Sequence, residues 1–159
     1  MKNTLLILLC LFGITLSAQT EVPDMTLKNL DGQDIRLKDI SKDQIIVISL
    51  WATWCVPCKN ELDAINDVYD KWQKETNVKL YAISVDDSRT VRRVRPMING
   101  KGWDYEILLD TNNDLQRALG ASTVPLTLVV KNNKILYRHS GYTPGVENEL
   151  YEKIVEFSK

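Results

Sequence analysis

Residues 51–61 read Trp-Ala-Thr-Trp-Cys-Val-Pro-Cys-Lys-Asn-Glu, and they separate two segments with different hydrophobic patterns. The preceding residues 45–50 are nearly all apolar, which predicts a strand that is buried on both faces. The following residues place apolar side chains at helical spacing, which predicts a helix over about 55–74. The two cysteines, Cys55 and Cys58, therefore lie where a buried strand turns into a helix, the context that a redox Cys-x-x-Cys motif requires.

The position of Cys55 favours its ionised form. A helix N-terminus carries unpaired N–H groups and a partial positive charge, so a thiol there ionises more readily than in free cysteine. We expect Cys55 to be the exposed, thiolate-forming member of the pair, and Cys58, within the first turn, to close a disulfide with it. Pro57 suits a first turn because its missing N–H would have no partner there.

Two other roles for the cysteine pair are open, a zinc site and a structural disulfide. Structural zinc takes four Cys or His ligands, and beyond this pair the chain holds only Cys10 and His139. We therefore predict no metal. A disulfide with a two-residue spacing closes a very small loop and adds little stability through loop entropy, so we favour redox exchange over a structural role.

The composition is that of an ordinary globular domain. The chain has 159 residues and a formal net charge of −1, which suits one domain with a short extension. It has none of the strong positive charge that is typical of nucleic-acid binding, so we predict no nucleic-acid partner.

The first eighteen residues differ from the rest. Lys2 gives a positive start, residues 5–16 are mostly apolar, and Ser17-Ala18 follows the apolar run. This pattern predicts a cleavable signal peptide at residues 1–18, a folded domain at 19–159, and export to the periplasm. An uncleaved membrane anchor is the alternative, although the apolar run is short for a spanning helix.

Turn signals divide the rest of the chain into strands and helices. Asp31-Gly32 predicts an N-terminal hairpin, and Asn132-Asn133 predicts a second one. Between them we expect a helix that starts with Ser88 as its N-cap and breaks near Pro96, followed by a loop over 99–102. Together with further strands and a closing helix, this order predicts an α/β fold with a mixed central sheet.

The pattern resembles the thioredoxin fold and, within it, the exported TlpA/ResA-like thiol-disulfide oxidoreductases. The matching parts are Trp54-Cys55-Val56-Pro57-Cys58, Glu61, the Asp31-Gly32 hairpin, Thr123-Val124-Pro125 and Gly141. The resemblance covers nearly all of residues 19–159. It implies a thioredoxin-like three-layer fold with a mixed central sheet, an N-terminal β-hairpin and a helical insertion.

The resemblance also implies a substrate-binding surface around the cysteines. Pro125 is expected to be a cis proline facing the two sulfurs, and the backbone at Val124 to pair with a substrate peptide like a strand. The alternative is a proline that only opens an edge strand. Trp54 is expected on the substrate surface, and Trp51 in the core. The full set of expected substrate-binding residues is Trp54, Val56, Pro57, Thr123, Val124 and Pro125.

Glu61 is the third expected catalytic residue, beside Cys55 and Cys58. It lies three residues after Cys58 on the same helix face and borders apolar positions, so we expect it to be partly buried. A carboxyl group in apolar surroundings has a raised pKa and can accept a proton from Cys58 near neutral pH. The alternative is an acid that only interacts with the helix dipole. Cytoplasmic thioredoxins carry a buried Asp six residues before the first cysteine, where this chain has Ser49.

The predicted function is dithiol–disulfide exchange without a bound cofactor. The resemblance implies disulfide-containing client proteins, with cytochrome c maturation as one family role, and a membrane thiol relay as electron donor. We expect a monomer. A thiol peroxidase is a second possibility, but that chemistry wants a Thr or Ser where this chain has Ala52. A non-enzymatic binding module with the same fold is a third, against which the intact cysteine pair argues.

Overall fold

Seven strands run through residues 21–159, the part of the chain that this computed structural model describes. They are β1 (Thr26–Asn29), β2 (Asp34–Arg36), β3 (Ile45–Trp51), β4 (Lys79–Ser84), β5 (Glu106–Leu109), β6 (Leu126–Lys131) and β7 (Lys134–Ser140). They form one sheet in the order β2-β1-β5-β4-β3-β6-β7. β4 is parallel to β3 and β5, whereas the other pairings are antiparallel, so the sheet is mixed as predicted.

Helices cover this sheet and close the chain. They are α1 (Leu37–Ile40), α2 (Val56–Thr76), α3 (Val94–Lys101), α4 (Asp114–Ala118) and α5 (Val146–Ser158), with a 3₁₀ turn at Val91–Arg93. α2 and α5 pack against each other, and α5 also contacts β3 and β6. Trp72 of α2 stacks on Tyr151 of α5 with ring centroids 5.6 Å apart.

β3 is the central strand, and all seven of its residues are buried. This confirms the prediction for residues 45–50. A strand that is buried on both faces is apolar at successive positions and does not alternate between apolar and polar residues. Its last residue, Trp51, lies opposite Ser84 at the end of the parallel neighbour β4. The cysteine stretch therefore leaves the sheet at the carboxyl edge of its parallel strands.

Both predicted hairpins form. β1 pairs with β2 across the turn at Gly32, and β1 also pairs with β5, which joins the N-terminal hairpin to the sheet. Asn132 and Asn133 have φ angles of 50° and 66°, the left-handed conformation that tight two-residue hairpin turns require.

The segment between β4 and β5 differs from the prediction in the role of Ser88, in the effect of Pro96 and in the loop over 99–102. Ser88 is not a helix cap, because the Asp87 side chain instead accepts the N–H groups of Arg89 and Thr90. Pro96 does not break a helix, because it lies in the first turn of α3, where its missing N–H needs no partner.

The prediction of a loop over residues 99–102 is also wrong. α3 continues through Asn99 and Gly100 to Lys101, and Gly102 ends it with a φ angle of +64°. Two glycines and an asparagine suggested a loop, but the buried contacts of Val94 and Ile98 hold this turn in helical form.

The predicted signal peptide at residues 1–18, Cys10 within it, and the start of the predicted domain at residue 19 lie outside the described residues. Within residues 21–159, no helix combines the length and the apolar composition that crossing a bilayer requires.

Candidate active site

The structure joins Cys55 and Cys58 in a disulfide, so it represents the oxidised protein. Cys55 is the N-cap of α2 and Cys58 lies in its first turn, with Cα atoms 5.4 Å apart. The backbone N–H of Cys58 donates to Cys55 Sγ over 3.2 Å. The end of a helix thus directs a donor at the sulfur that we expected to ionise, which would stabilise negative charge there after reduction.

The two sulfurs differ in exposure, though less than the sequence suggested. Cys55 is 5% exposed and Cys58 is 0% exposed. The prediction that Cys55 is exposed is therefore wrong, since Cys55 is buried in the oxidised protein and the carbonyl oxygen of Val124 lies 3.7 Å from its Sγ. Cys55 is nevertheless the more exposed residue of the pair.

The peptide bond between Val124 and Pro125 is cis, and it lies beside the disulfide. This agrees with the cis conformation that the family resemblance implied for Pro125. Gly141, directly after β7, has a φ angle of +83° and donates its N–H to the carbonyl oxygen of Pro125 over 2.9 Å. Thr123 is exposed and Val124 is half-buried, and the carbonyl oxygen of Val124 is the part of this segment that approaches Cys55.

Glu61 is fully inside the protein, at 2% exposure. Its carboxylate accepts a hydrogen bond from Thr127 Oγ1 at 2.8 Å and another from Ser49 Oγ at 3.1 Å. Burial raises the pKa of Glu61 to about 7, although the bonds from Thr127 and Ser49 act in the opposite direction. The expected burial and proton affinity near neutral pH are thus present.

The alternative role for Glu61, an acid that only interacts with the helix dipole, does not fit this arrangement. The first turn of α2 contains no acidic residue, and the Glu61 carboxylate is directed at hydroxyl groups of the sheet. A helix dipole acts mainly within the first turn, so the contacts with β3 and β6 are what define the environment of this group.

Two large apolar side chains of the described chain are exposed, and both flank Cys55. Trp54 is 58% exposed and Val56 is 60% exposed, and Pro57 beside them is also exposed. Exposed apolar groups that cluster at one place are typical of interaction surfaces. By contrast, Trp51 is fully buried with its ring edge-on to Trp103 at 5.4 Å, as the sequence predicted.

A cleft of about 250 Å³ adjoins Trp54. Its other lining residues are Val85, Asp87, Arg89, Thr90 and Asn113. Arg89 pairs with Asp87 at 2.6 Å, so the lining of the cleft combines apolar side chains with an ion pair. No group of three or more His, Cys, Asp or Glu side chains in residues 21–159 is arranged to hold a metal ion.

Sequence reasoning missed Asp86, which is completely buried and connects the cysteine stretch to β4. Its carboxylate accepts hydrogen bonds from the backbone and side chain of Thr53 and from Ser84 Oγ. A usable signal was its position directly after β4, at the same edge of the sheet where β3 ends. It also missed that Ser49 and Thr127 hold Glu61, because that requires the pairing of β3 with β6.

Known proteins resemble this chain over most of its length. A family model described as the AhpC/TSA family matches residues 18–139. The thiol-disulfide oxidoreductase ResA of Bacillus thuringiensis is 27% identical over 134 residues, which cover 84% of this chain and 75% of that protein. ResA of Bacillus subtilis is 28% identical over 137 residues, covering 79% and 74%.

Solved structures confirm the predicted thioredoxin-like fold. A thioredoxin-like protein from Porphyromonas gingivalis superposes with a TM-score of 0.72 at 41% identity, covering 85% of this chain and 90% of that one. The putative thiol:disulfide interchange protein DsbE from Chlorobium tepidum gives a TM-score of 0.74 at 20% identity, covering 88% and 96%, which supports the fold alone. The chain belongs to the AhpC/TSA family, and within it to the thioredoxin-like proteins related to the ResA thiol-disulfide oxidoreductases.

Proposed function

We propose that this protein, a thiol-disulfide oxidoreductase, reduces disulfide bonds of client proteins through Cys55 and Cys58, with Glu61 as proton acceptor. The observation that carries the proposal is the asymmetry of the pair. Cys55 receives an N–H from the start of α2 and borders exposed apolar side chains, whereas Cys58 is inaccessible. One sulfur is thereby suited to meet a client and the other to act only inside the protein.

In the first step, the Cys55 thiolate attacks one sulfur of a client disulfide. The client S–S bond breaks, a mixed disulfide between Cys55 and the client forms, and the other client sulfur leaves as a thiolate. The N–H of Cys58 stabilises the attacking charge, since charge-assisted hydrogen bonds are stronger than neutral ones.

In the second step, Cys58 gives its proton to the Glu61 carboxylate and attacks Cys55 Sγ. The mixed disulfide breaks, the Cys55–Cys58 disulfide forms, and the client leaves with both of its sulfurs reduced. Glu61 suits this task because a base is most effective when its pKa lies near the working pH, and burial raises its pKa to about 7.

Client binding is assigned to the surface around Cys55. Trp54, Val56 and Pro57 offer apolar contact area on the α2 side. Thr123, Val124 and Pro125 are assigned to the same surface, because the carbonyl oxygen of Val124 lies 3.7 Å from Cys55 Sγ. The backbone at Val124 can pair with an extended client segment. The protein acts as a monomer in this scheme.

The proposed location is the periplasm, on the strength of the leader pattern in residues 1–18. In an oxidising compartment a reductant must be recharged, so the spent disulfide takes two electrons from a membrane thiol relay. Cytochrome c maturation is one context that uses such clients.

The test is to trap the intermediate. A Cys58→Ala variant keeps the attacking sulfur and cannot complete the second step, so it should accumulate client proteins through mixed disulfides. Cys55→Ala is the matched control and should trap none. Reduction of insulin by the wild-type protein, with no consumption of peroxide, separates exchange from peroxidase chemistry. Absence of any disulfide-linked client on Cys58→Ala would overturn the proposal.

A further inference from the structure

Two hydroxyl groups from neighbouring strands hold the two oxygens of Glu61. Ser49 lies on β3 and Thr127 lies on β6, and the two residues are direct partners in the antiparallel ladder. Ser49 Oγ donates to Oε2 at 3.1 Å, and Thr127 Oγ1 donates to Oε1 at 2.8 Å. Both residues are at most 1% exposed, so these bonds form away from competing water.

The described surroundings of Glu61 contain no cation that neutralises it. None of the ion pairs found in residues 21–159 involves Glu61. Among the groups with shifted pKa values, the phenols of Tyr105, Tyr137 and Tyr142 interact with its charge, and burial is the main cause of the rise in each of their pKa values. These phenols are uncharged at neutral pH, and Cys55 and Cys58 are tied up in the disulfide.

The hydroxyl pair favours the charged form of Glu61. A hydroxyl group has one hydrogen to donate, and an ionised carboxylate can accept both of these bonds. A neutral carboxyl group must itself donate, so one of the two hydroxyls would have to turn round and accept. Ser49 and Thr127 therefore supply to the buried carboxylate part of the stabilisation that water supplies to an exposed one.

We propose that Ser49 and Thr127 are positioning residues that stabilise the carboxylate form of Glu61, so that it is able to accept a proton from Cys58 near neutral pH. The assignment rests on the proposed function for its consequence in catalysis, but the effect on the charge of Glu61 can be measured without any client. When Glu61 takes the proton, Cys58 S–H becomes a thiolate and the carboxylate becomes a carboxyl group, so no further reactant is needed.

The direct test follows the ¹³C resonance of the Glu61 side-chain carboxyl group against pH in the oxidised protein. The wild-type midpoint should lie at about 7. Ser49→Ala and Thr127→Val each remove one donor to a charged group and should raise the midpoint by about one pH unit. Thr127→Ser retains the hydroxyl and should restore the wild-type midpoint.

Ser41→Ala is a matched control for loss of a buried hydroxyl. Ser41 is fully buried and bonds to Asn133, on the turn between β6 and β7. This variant should leave the Glu61 midpoint unchanged whatever its effect on stability. The Glu61 midpoint is measured in Ser49→Ala and in Thr127→Val independently. The test can therefore be made even if only one of the two variants folds.

Client reduction gives a second readout. At pH 7, a one-unit rise leaves about a tenth of Glu61 ionised instead of half, so the rate should fall about fivefold and recover at higher pH. A midpoint that stays constant or falls in Ser49→Ala and Thr127→Val overturns the assignment. A midpoint that rises while the pH profile of reduction is unaltered supports the hydroxyl pair and refutes the role of Glu61 in the proposed function.

Discussion

The carboxylate of Asp86 accepts two hydrogen bonds from Thr53, one from the backbone nitrogen at 2.8 Å and one from Oγ1 at 2.6 Å. Ser84 Oγ donates a third at 2.8 Å. All three residues are buried, so the end of β4 holds the turn that leads from β3 into Cys55. The cysteine stretch thus has an anchor that is not part of the cysteine motif.

Replacing Asp86 by Ala should lower the free energy of unfolding by about 3 kcal/mol, because it leaves the buried Thr53 N–H without a partner. Urea unfolding of the oxidised protein measures this. Asp34→Ala is the control, since Asp34 forms only an exposed pair with Lys28 and should cost less than about 1 kcal/mol. Equal urea midpoints for the two variants would show that the hydrogen bonds of Asp86 do not contribute to the free energy of unfolding.

The reduced protein should be alkylated selectively. Iodoacetamide at pH 7 should modify Cys55 several-fold faster than free cysteine, because the start of α2 stabilises the thiolate. Cys58 should react far more slowly, since it is 0% exposed. Mass spectrometry of the digested protein assigns the label, and Cys55→Ser should abolish the fast phase. Preferential labelling of Cys58 would reverse the proposed roles of the two sulfurs.

Trp54 should matter for protein clients and little for stability. It is 58% exposed, and an exposed aromatic side chain at an interface commonly contributes 1–2 kcal/mol to binding, so Trp54→Ala should lower kcat/KM for insulin about tenfold. Reduction of a small aromatic disulfide should change less than threefold. Trp51→Ala, which empties a buried site, should instead cost about 4 kcal/mol of stability. An equal loss of activity toward both substrates in Trp54→Ala would argue against a docking surface.

Glu61 should make the protein less stable as the pH rises. Its pKa is raised from 4.5 to about 7 in the folded protein, so the folded state holds the proton more tightly than the unfolded state. The resulting stabilisation is complete below about pH 4.5 and is lost as the pH rises through 7, by at most about 3 kcal/mol.

Glu61→Gln removes this titration. The difference in free energy of unfolding between Glu61→Gln and the wild type should therefore increase in favour of the variant between pH 4.5 and 8. Urea unfolding at several pH values measures it, and other titrating groups cancel in the difference. A difference that does not depend on pH would mean that Glu61 titrates normally in the folded protein.

The sequence was enough to predict the parts of the site that depend on neighbouring residues. The apolar run before Trp51 and the helical spacing after Cys58 placed the cysteines at a strand-to-helix junction, which the structure confirms. The burial of Glu61 could be expected as well, because it is next to Leu62 on the face of α2 that covers the sheet.

The remaining parts depend on contacts between distant segments. Ser49 and Thr127 meet only because β6 pairs with β3 in one register, and a slip of one residue would turn the hydroxyls to the other face. Asp86 reaches Thr53 because β3 and β4 end at the same level. The loop predicted over 99–102 is wrong for a different reason. The tertiary packing of Ile98 outweighs the weak helix propensity of Asn99 and Gly100, so α3 continues through them.

The complete enclosure of Cys58 has a kinetic consequence. A client protein can form a covalent bond only with Cys55 Sγ, so each encounter produces a single kind of mixed disulfide. Its discharge is then a first-order event whose rate depends on the geometry of α2 and on the acidity of the departing thiol, and not on concentration. Clients that differ widely in shape should therefore differ in the rate at which the mixed disulfide forms, and much less in the rate at which it is resolved.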